Sequence, residues 1–290
     1  MTTQNTFKQK TIKKEIFLQG IGVHSGLPAK ISLKPSGPNS GIIFLSSNPM
    51  YEKIIIGSVI PEEAMHATVL KSKNWALSTI EHLLSAISAL HIDNLTIEVD
   101  GNEIPIFDGS ALPFIQALLN AGIEEQLNGK LFLTPKKTLK FKDGEDRFIT
   151  IKPSEGINRY DLLFDYSVDF KHPLAGKGNL KGIFSEQFFV DEISPARTFG
   201  FLNQLPQLRY YNLAKGVSLG NTVVIGDNEF INERRFDDEF VRHKFLDLIG
   251  DLACLGKNLA GTIIAAKTGH SFNRKVVEHF IQNPDSWELF

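Results

Sequence analysis

Two stretches of the chain share a helix-then-strand pattern, and this pattern limits the fold more than any other feature of the sequence. Residues 83–90 read LLSAISAL and residues 245–252 read FLDLIGDL, with the same apolar rhythm in both. That rhythm is typical of an amphipathic helix with one buried face. Each stretch is followed by a loop and an apolar strand. The sequence therefore predicts an α+β protein of two similar halves, as an old duplication would leave.

The first half is predicted to consist of strands followed by helices. Alternating or β-branched residues predict strands at 29–34, 42–44, 54–60 and 94–101. One helix is predicted to begin near Ser78, and a second to follow Ser110, a plausible helix cap, and to end at Gly122. The polar stretch 124–130 is the predicted boundary, which divides the chain into domains of residues 1–126 and 127–290.

The second half repeats that order. Strands are predicted within residues 130–141, 148–153, 160–168 and 261–269. A loop-rich stretch with glycine and proline covers about 171–220, and a helix is predicted over 237–256. Helices layered on sheets in two similar domains, with the active site between them, are the expected architecture.

Charge and cysteine content exclude several classes of protein. The formal net charge is −2, so no polybasic surface attracts nucleic acid or an anionic membrane. Cys254 is the single cysteine, which excludes an internal disulfide and a cysteine-only metal cage. The first 20 residues lack the apolar run of a signal peptide, and no stretch is long and apolar enough for an integral membrane segment. A cytoplasmic location without nucleic acid or an obligate protein partner is expected.

Glu81 and His82 form the first pair that could carry chemistry. Ser78 and Glu81 fit a capping box, in which the glutamate only reaches back to a backbone N–H. Taken alone, the spacing favours that structural interpretation. The functional interpretation is that His82 binds a metal while Glu81 meets the metal-bound water. Because the residue four after His82 is Ala86, a second histidine has to come from elsewhere in the chain.

The predicted helix of the second half supplies such a histidine. His243, Asp247 and Asp251 recur every four residues and so lie on one stripe of the helix. One interpretation is a solvated face with a weak surface ion pair. The other joins His82 with His243 and Asp247 as three ligands plus an open position, the number expected of a catalytic zinc. The spacing does not choose between them, since nothing in it brings the two helices together.

Three further residues lie where loops often carry function. His270 follows the strand GTIIAA, Thr198 lies in ISPARTFGF, and His24 lies among glycines in GIGVHSG. Each also has a structural interpretation, as a turn residue, a strand hydroxyl or part of a tight turn.

Several long segments together resemble one known family. They are GIGVHSG (20–26), residues 77–114, ARTFGF (196–201), FDDEFVRHKFLDLIGDL (236–252) and KTGHSFN (267–273). In order and spacing they are similar to the UDP-3-O-acyl-N-acetylglucosamine deacetylases, the amidases that commit a sugar nucleotide to lipid A synthesis. The resemblance covers about residues 10 to 280. It implies two similar α+β domains with a zinc ion between them.

The resemblance also implies a role for individual residues. The metal ligands of the family fall on His82, His243 and Asp247, and its catalytic base falls on Glu81. Its remaining catalytic positions fall on the charged histidine His270, the oxyanion-binding Thr198, Lys244 near the substrate, and Asp251, which supports the histidine. The expected cofactor is Zn²⁺, with Fe²⁺ as the alternative.

An insert in the second domain of the family lines an apolar passage for the acyl chain. Here it falls within about 198–220, and the substrate-binding residues are expected to be His24, Phe199, Phe201, Leu202 and Val217. Two departures stand out. The stretch KGVSLGNTVVI is shorter than the family pattern, and His66 replaces a cysteine that several relatives carry near the metal. The chain also ends without the dehydratase domain that is fused to some relatives.

The implied reaction is hydrolysis of an N-acetyl group, with UDP-3-O-acyl-N-acetylglucosamine as the substrate and acetate as a product. Zinc would polarise the amide, Glu81 would take a proton from water, and Thr198 with protonated His270 would stabilise the oxyanion. Either His270 or Glu81 would then protonate the leaving amine. Two alternatives stay open: a zinc amidase for a different N-acyl sugar, favoured by the shortened insert, and a non-catalytic protein that binds sugar nucleotide or acyl lipid.

Overall fold

A computed structural model describes residues 7–155 and 159–290 of the chain. The elements of the first half are, in chain order, β1 Lys8–Ile12, β2 Ile16–Ile21, β3 Pro28–Pro35, β4 Ile42–Ser46, β5 Ile54–Ile55, β6 Val69–Lys71, β7 Ala76–Ser78, α1 Glu81–Ala89, β8 Leu95–Asp100, α2 Leu112–Ala121 and β9 Ile123–Gly129. Those of the second half are β10 Phe132–Pro135, β11 Leu139–Asp143, β12 Arg147–Lys152, β13 Leu162–Asp169, β14 Lys177–Phe184, α3 Glu186–Phe188 (continued by a π-helix, Phe189–Ile193), β15 Phe199–Phe201, α4 Leu205–Tyr210, β16 Val223–Ile225, α5 Glu239–Ala253, β17 Asn258–Leu259, β18 Gly261–Ala266, α6 His270–Gln282 and β19 Trp287–Leu289. Helices and sheets alternate in both halves, which confirms the predicted α+β class.

The main sheets of the two halves have the same plan. The first has the strand order β2-β3-β8-β4-β5, and the second has the order β11-β12-β18-β13-β14. In each sheet the two central strands, β8 with β4 and β18 with β13, are parallel, and the other neighbours are antiparallel. Each half also places a helix between the two central strands in the chain and a second helix after them. The repeated rhythm in the sequence therefore corresponds to the equivalent helices α1 and α5.

The equivalent helices α1 and α5 pack directly against each other. The contact is close because Gly250 of α5 faces the backbone of α1: a Cβ at Gly250 would lie 2.0 Å from the carbonyl oxygen of Glu81. Around this contact the apolar faces of both helices join one hydrophobic core that extends to both sheets. Phe245 is fully buried there, with its ring 4.3 Å from that of Phe164. Burial of such a side chain contributes about 1.5–3 kcal/mol to stability.

The polar stretch predicted as a boundary is a strand. Strand β9 covers Ile123–Gly129 and pairs antiparallel with β1 near the N-terminus. None of its side chains is fully buried, and most of them are exposed on both faces. The predicted boundary between residues 126 and 127 falls inside this strand. The division into two domains at that point stays a prediction.

Other elements differ from the prediction in their extent. Ser78 ends β7, and α1 begins three residues later, after Ile80 at its N-cap. Ser110 is not the N-cap of α2 either, since Ala111 is, although the Ser110 hydroxyl accepts a hydrogen bond from Leu112 N. The β-branched run 54–60 forms only the two-residue β5, because the chain turns at Gly57.

Several elements have no counterpart in the prediction, among them the strands β1, β2, β6, β7 and β19. Strand β14, together with α3, β15 and α4, lies inside the predicted loop-rich stretch 171–220, and α6 begins at His270, where a loop is predicted. The lysine-bearing N-terminal segment lies partly outside the described residues. None of the helices in the described ranges is both long and apolar enough to cross a bilayer.

Candidate metal centre

Two histidines and one aspartate from two helices meet in the interior. His82 is the second residue of α1, and His243 and Asp247 lie one turn apart on α5. The Nε2 atoms of His82 and His243 lie 3.7 Å and 3.4 Å from Asp247 Oδ1, and the three potential ligand atoms all lie within 4.8 Å of one another. Ligands of a tetrahedral zinc ion with bonds of about 2.0–2.1 Å are about 3.3–3.4 Å apart. The cluster therefore has the spacing of a metal site.

Burial of the cluster rules out the solvated-face interpretation of the α5 stripe. Asp247 and Asp251 are each 2% exposed, as is His243. The stripe faces α1 and α6 rather than water, so its polar side chains lie in the interior of the molecule.

His243 is held as a neutral imidazole. Its Nδ1 lies 3.1 Å from the carbonyl oxygen of Ala196. Because a carbonyl only accepts, Nδ1 carries the proton and Nε2 presents its lone pair to the cluster. Burial lowers the pKa of His243 to about 3, against the opposing charge of Asp247. The ring is therefore uncharged at neutral pH and able to bind a cation.

Asp247 offers one oxygen to the cluster and uses the other elsewhere. Its Oδ2 accepts a hydrogen bond of 2.8 Å from Lys244 Nζ. Burial alone would raise the pKa of Asp247, but the charge of Lys244 together with the neighbouring His243 and His270 outweighs it and holds the pKa well below its usual range. Within the described part of the chain, no hydrogen bond reaches the buried Oδ1. Such an orphaned anionic oxygen between two imidazole nitrogens fits a divalent cation.

Glu81 lies beside the cluster with its carboxylate turned away from Ser78. Its Oε2 accepts a hydrogen bond of 3.1 Å from the backbone N–H of Thr68, and its Oε1 lies 3.8 Å from His270 Nε2. The capping-box interpretation is therefore wrong. Burial raises the pKa of Glu81, against the opposing effect of His270. A raised pKa suits a carboxylate that has to take up and release a proton.

His270 pairs with Asp251 on one side and faces the cluster on the other. Its Nδ1 lies 3.0 Å from both oxygens of Asp251, and its Nε2 lies 3.7 Å from Asp247 Oδ2. Burial lowers the pKa of His270, but the charges of Asp251, Asp247 and Glu81 outweigh that effect and raise the pKa to about 9. At neutral pH the ring is therefore an imidazolium that directs its Nε2–H toward the space beside the cluster.

One cavity of about 510 Å³ connects the cluster with an apolar wall. At its polar end it is lined by Glu81, His243, Lys244, Asp247 and His270. The segment after Thr198 supplies the apolar wall, with Phe199, Phe201, Leu202, Leu205, Leu208 and Val217. The volume falls within the range of about 300–1,000 Å³ that is usual for ligand sites.

Thr198 and His24 also line this cavity. The backbone of Thr198 bonds to Gly109 O and to Val223 N, which places it at the junction of two strands. The His24 ring reaches across the mouth, with Nε2 3.2 Å from the carbonyl oxygen of His66. Eleven of the thirteen site residues predicted from the sequence therefore line one cavity. The other two, His82 and Asp251, are buried beside the lining residues Asp247 and His270.

A buried ion pair connects the Thr198 segment with the start of α5. The fully buried Glu239 accepts hydrogen bonds from Arg197 N, at 2.9 Å, and from Arg197 Nε, at 3.0 Å. Its second oxygen accepts from Arg235 N at 2.6 Å. Loss of one partner of a buried ion pair usually costs about 3–5 kcal/mol. Glu239 thus holds the segment that carries Thr198 against the helix that carries His243.

Sequence reasoning did not single out Thr68, Asn273, Arg197 or Glu239. Apart from the backbone of Arg235, which lies four residues before Glu239, their partners lie 13 to 202 residues away in the chain, so no local motif marks them. The only local signal is that Arg197 and Glu239 lie next to residues already chosen, in ARTFGF and FDDEFVRH.

The chain is similar to known proteins over nearly its whole length. Residues 9–282 match the family described as UDP-3-O-acyl N-acetylglycosamine deacetylase. The UDP-3-O-acyl-N-acetylglucosamine deacetylase of Histophilus somni is 42% identical over 288 residues, which cover 97% of this chain and 92% of that protein. The protein of the same name from Haemophilus influenzae is 41% identical with the same coverage. A third, from Nautilia profundicola, is 42% identical over 275 residues, or 94% of this chain and 92% of its own length.

Proposed function

This chain belongs to the UDP-3-O-acyl-N-acetylglucosamine deacetylase family, and from that premise we propose how its residues carry the reaction. The reaction is hydrolysis of the N-acetyl group of UDP-3-O-acyl-N-acetylglucosamine, which yields acetate and the free amine in lipid A biosynthesis. The observation that carries the assignment of roles is the convergence of the His82, His243 and Asp247 cluster, Glu81 and His270 on one cavity.

The metal is held, in this proposal, by His82 Nε2, His243 Nε2 and Asp247 Oδ1. Two imidazoles and one carboxylate suit zinc, and iron(II) is the alternative that the same ligands accept. When bound, the ion supplies Lewis acidity toward the amide carbonyl and lowers the pKa of a water molecule. Lys244 holds the second oxygen of Asp247 and so keeps the first directed at the cluster.

Glu81 acts as the general base. The Thr68 N–H fixes its Oε2, and Oε1 remains on the side of the cavity. There it takes a proton from the attacking water. Since burial raises its pKa, Glu81 is a stronger proton acceptor than an exposed glutamate.

His270 and Thr198 stabilise the negative charge that develops on the amide oxygen. The imidazolium of His270 is oriented by Asp251 and presents Nε2–H to the cavity, and Thr198 lines the same cavity. Glu81 Oε1 and His270 Nε2 are 3.8 Å apart, so both groups are near the reacting amide, and the amine leaves with a proton from one of them.

The apolar wall binds the acyl chain of the substrate. Phe199, Phe201, Leu202 and Val217 line the cavity beyond the metal cluster, and we assign His24 to substrate binding at its mouth. We also propose that the chain divides into two domains at residue 126 and that the protein is cytoplasmic.

Two assays on one preparation test this function. The purified protein should hold one equivalent of zinc or iron and release acetate from UDP-3-O-acyl-N-acetylglucosamine. The nucleotide without its acyl chain is the matched control, and it should react far more slowly because it does not fill the apolar wall. A protein that binds the acylated nucleotide but releases no acetate would be a binding protein. Preference for another N-acylated sugar would point to a different amidase.

A further inference from the structure

Thr68 contacts both halves of the acid–base machinery. Its backbone N–H donates to Glu81 Oε2 at 3.1 Å, and its hydroxyl donates to Asp251 Oδ1. The same hydroxyl oxygen lies 3.2 Å from His270 Nδ1. Thr68 is 4% exposed, so these contacts are made away from water. One residue thus lies between the base Glu81 and the charged His270.

Asp251 is held from two sides besides its contact with His270. Asn273 Nδ2 donates to Asp251 Oδ2 at 2.7 Å, while Thr68 donates to Oδ1. With a donor on each oxygen, the carboxylate plane is fixed rather than free to rotate. Because His270 Nδ1 lies 3.0 Å from both of these oxygens, the direction of the imidazole ring follows the direction of the carboxylate.

The direction of the ring determines where its other nitrogen lies. His270 Nε2 is 3.8 Å from Glu81 Oε1, and the other oxygen of Glu81 is held by the Thr68 N–H. Thr68 therefore contacts Glu81 directly and contacts His270 through Asp251, so both members of the pair are positioned relative to one residue. A misplacement of reacting groups by about 1 Å can lower a rate on the order of 10²-fold.

We propose that Thr68 is a positioning residue that sets the placement of His270 relative to Glu81, through its hydroxyl on Asp251 and its N–H on Glu81. The inference rests on the proposed function and extends it to a residue that touches neither substrate nor metal. Because Thr68 orients the catalytic groups and does not bind substrate, its loss should lower kcat with little change in KM.

Substitutions at Thr68 separate the hydroxyl from the backbone contact. Thr68→Val keeps the shape and the N–H but removes the hydroxyl, and Thr68→Ser keeps both donors. We expect kcat to fall about 10- to 100-fold in Thr68→Val, with KM within about threefold, and to be largely restored in Thr68→Ser. Thr68→Ala serves as a second variant without the hydroxyl, should valine prevent folding. Equal defects in the serine and valine variants, or a valine variant with full kcat, would overturn the proposal.

Thr11→Val is the matched control. Thr11 is also 4% exposed and donates its hydroxyl to Asn94 O at 2.7 Å, but it lies in β1, outside the cavity lining. It loses a buried hydroxyl of the same kind. We expect Thr11→Val to lower the melting temperature and leave kcat intact. An equal loss of kcat in the control would mean that the Thr68 effect reflects stability alone.

A readout without turnover keeps this inference separate from the proposed function. The hydrogen-bonded Nδ1 proton of His270 should give a low-field proton NMR signal that is absent in His270→Ala. We expect the signal at the same position in wild type and Thr68→Ser, and shifted or lost in Thr68→Val and Thr68→Ala. If wild type releases no acetate, the proposed function fails and this signal still decides the role of Thr68. An unchanged signal in both hydroxyl-free variants would refute that role.

Discussion

At the scale of single residues, two of the three proposed metal ligands have their second polar atom held by a neighbour. His243 Nδ1 is engaged by Ala196 O and Asp247 Oδ2 by Lys244, so each of these side chains has one atom left for a metal. One interpretation of the sequence is that Asp247 lies on a solvated face of its helix. In the structure that face is buried against α1, where Glu81 and His82 are themselves polar.

Asp247→Ala tests the ligand role most directly. We expect the purified variant to contain little metal and to release no measurable acetate, because the cluster loses its only anionic ligand. Metal analysis and the acetate assay on the same sample measure both effects. The variant also leaves Lys244 without its carboxylate partner, so some loss of stability should accompany it. Stoichiometric metal with normal turnover would contradict the assignment.

Glu81→Gln should separate the base from the metal site. The amide keeps the size of the side chain but has no carboxylate to take a proton. We expect a full complement of metal and a kcat lower by roughly 10²- to 10⁴-fold, the usual contribution of a positioned general base. A decrease of only a few-fold with the metal intact would assign Glu81 a structural role.

The pH dependence of kcat/KM should be a bell. Glu81 has to be deprotonated, and burial raises its pKa, so the rate falls as pH decreases through that raised value. His270 has to be charged, so the rate falls as pH increases through its pKa of about 9. A cation on Asp247 repels the imidazolium, which moves this basic limb somewhat below that value in the loaded enzyme.

His270→Ala checks which group produces the basic limb. Its remaining activity should lack that limb, while the acidic limb persists. Because the groups that titrate are coupled, neither apparent pKa belongs to a single residue. The assignment of the basic limb to His270 therefore rests on the difference between the wild-type and His270→Ala profiles. The same bell in the variant would exclude His270 as the group that titrates at high pH.

At the scale of elements, the close contact between α1 and α5 is what assembles the centre. The 3.6-residue periodicity predicted both helices, since one apolar face of each is buried in the core. No periodicity shows that the two helices touch. The contact depends on Gly250, because a residue without a side chain lets the two helix backbones approach. In the sequence nothing distinguishes this glycine from the others.

The elements missed by the prediction have physical reasons of the same kind. Strand β14 is a polar edge strand with alternating exposure and two glycines, so it lacks the apolar alternation of a half-buried strand. Helix α6 does have an amphipathic pattern, with Phe272, Val276 and Phe280 buried, but it begins directly after Gly269 in the segment that follows a strand, where a loop is expected. The pairing of Thr68 with Asp251 spans 183 residues and leaves no local pattern at all.

Gly250→Ala should therefore damage the metal centre without touching a ligand. A Cβ there would lie 2.0 Å from Glu81 O, so α1 and α5 have to move apart. We expect a loss of about 1–3 kcal/mol in the free energy of unfolding and weaker metal binding. Denaturant unfolding and metal titration measure the two effects. Gly37→Ala, where a Cβ meets nothing within 4 Å, is the control and should change neither. Unaltered metal affinity in Gly250→Ala would show that the helix contact does not set the site.

At the scale of the whole molecule, the duplicated plan explains where the centre lies. The equivalent helices α1 and α5 bring Glu81 with His82, and His243 with Asp247, to the contact between the two halves. An ion pair of 2.8 Å between Asp108 and Arg235 joins the halves at another point. The second half departs from the repeat between β14 and α5, and that departure supplies the apolar wall.

The departure from the repeat leads to a prediction about substrate length. The segment from Thr198 to Gly220 lines the cavity with apolar side chains beside the metal cluster. Leu202, which lines the cavity, and Leu219, which does not, are each about half exposed. Each buried CH₂ of an acyl chain contributes about 0.8 kcal/mol, or roughly a fourfold gain in affinity. We expect kcat/KM to rise steeply as the 3-O-acyl chain lengthens and then to level off once the wall is covered.

The acyl length at which kcat/KM stops rising measures the length of the apolar wall. Because the segment KGVSLGNTVVI is short, we expect the plateau early in the series, with the end of a long chain exposed to solvent. The measurement is a set of substrates that differ only in acyl length, assayed at constant detergent. Phe201→Ala shortens the wall from within the cavity and should lower the plateau while leaving the shortest substrate little affected. A flat series in wild type would mean that these side chains form a cover over the core and that the enzyme recognises only sugar and nucleotide.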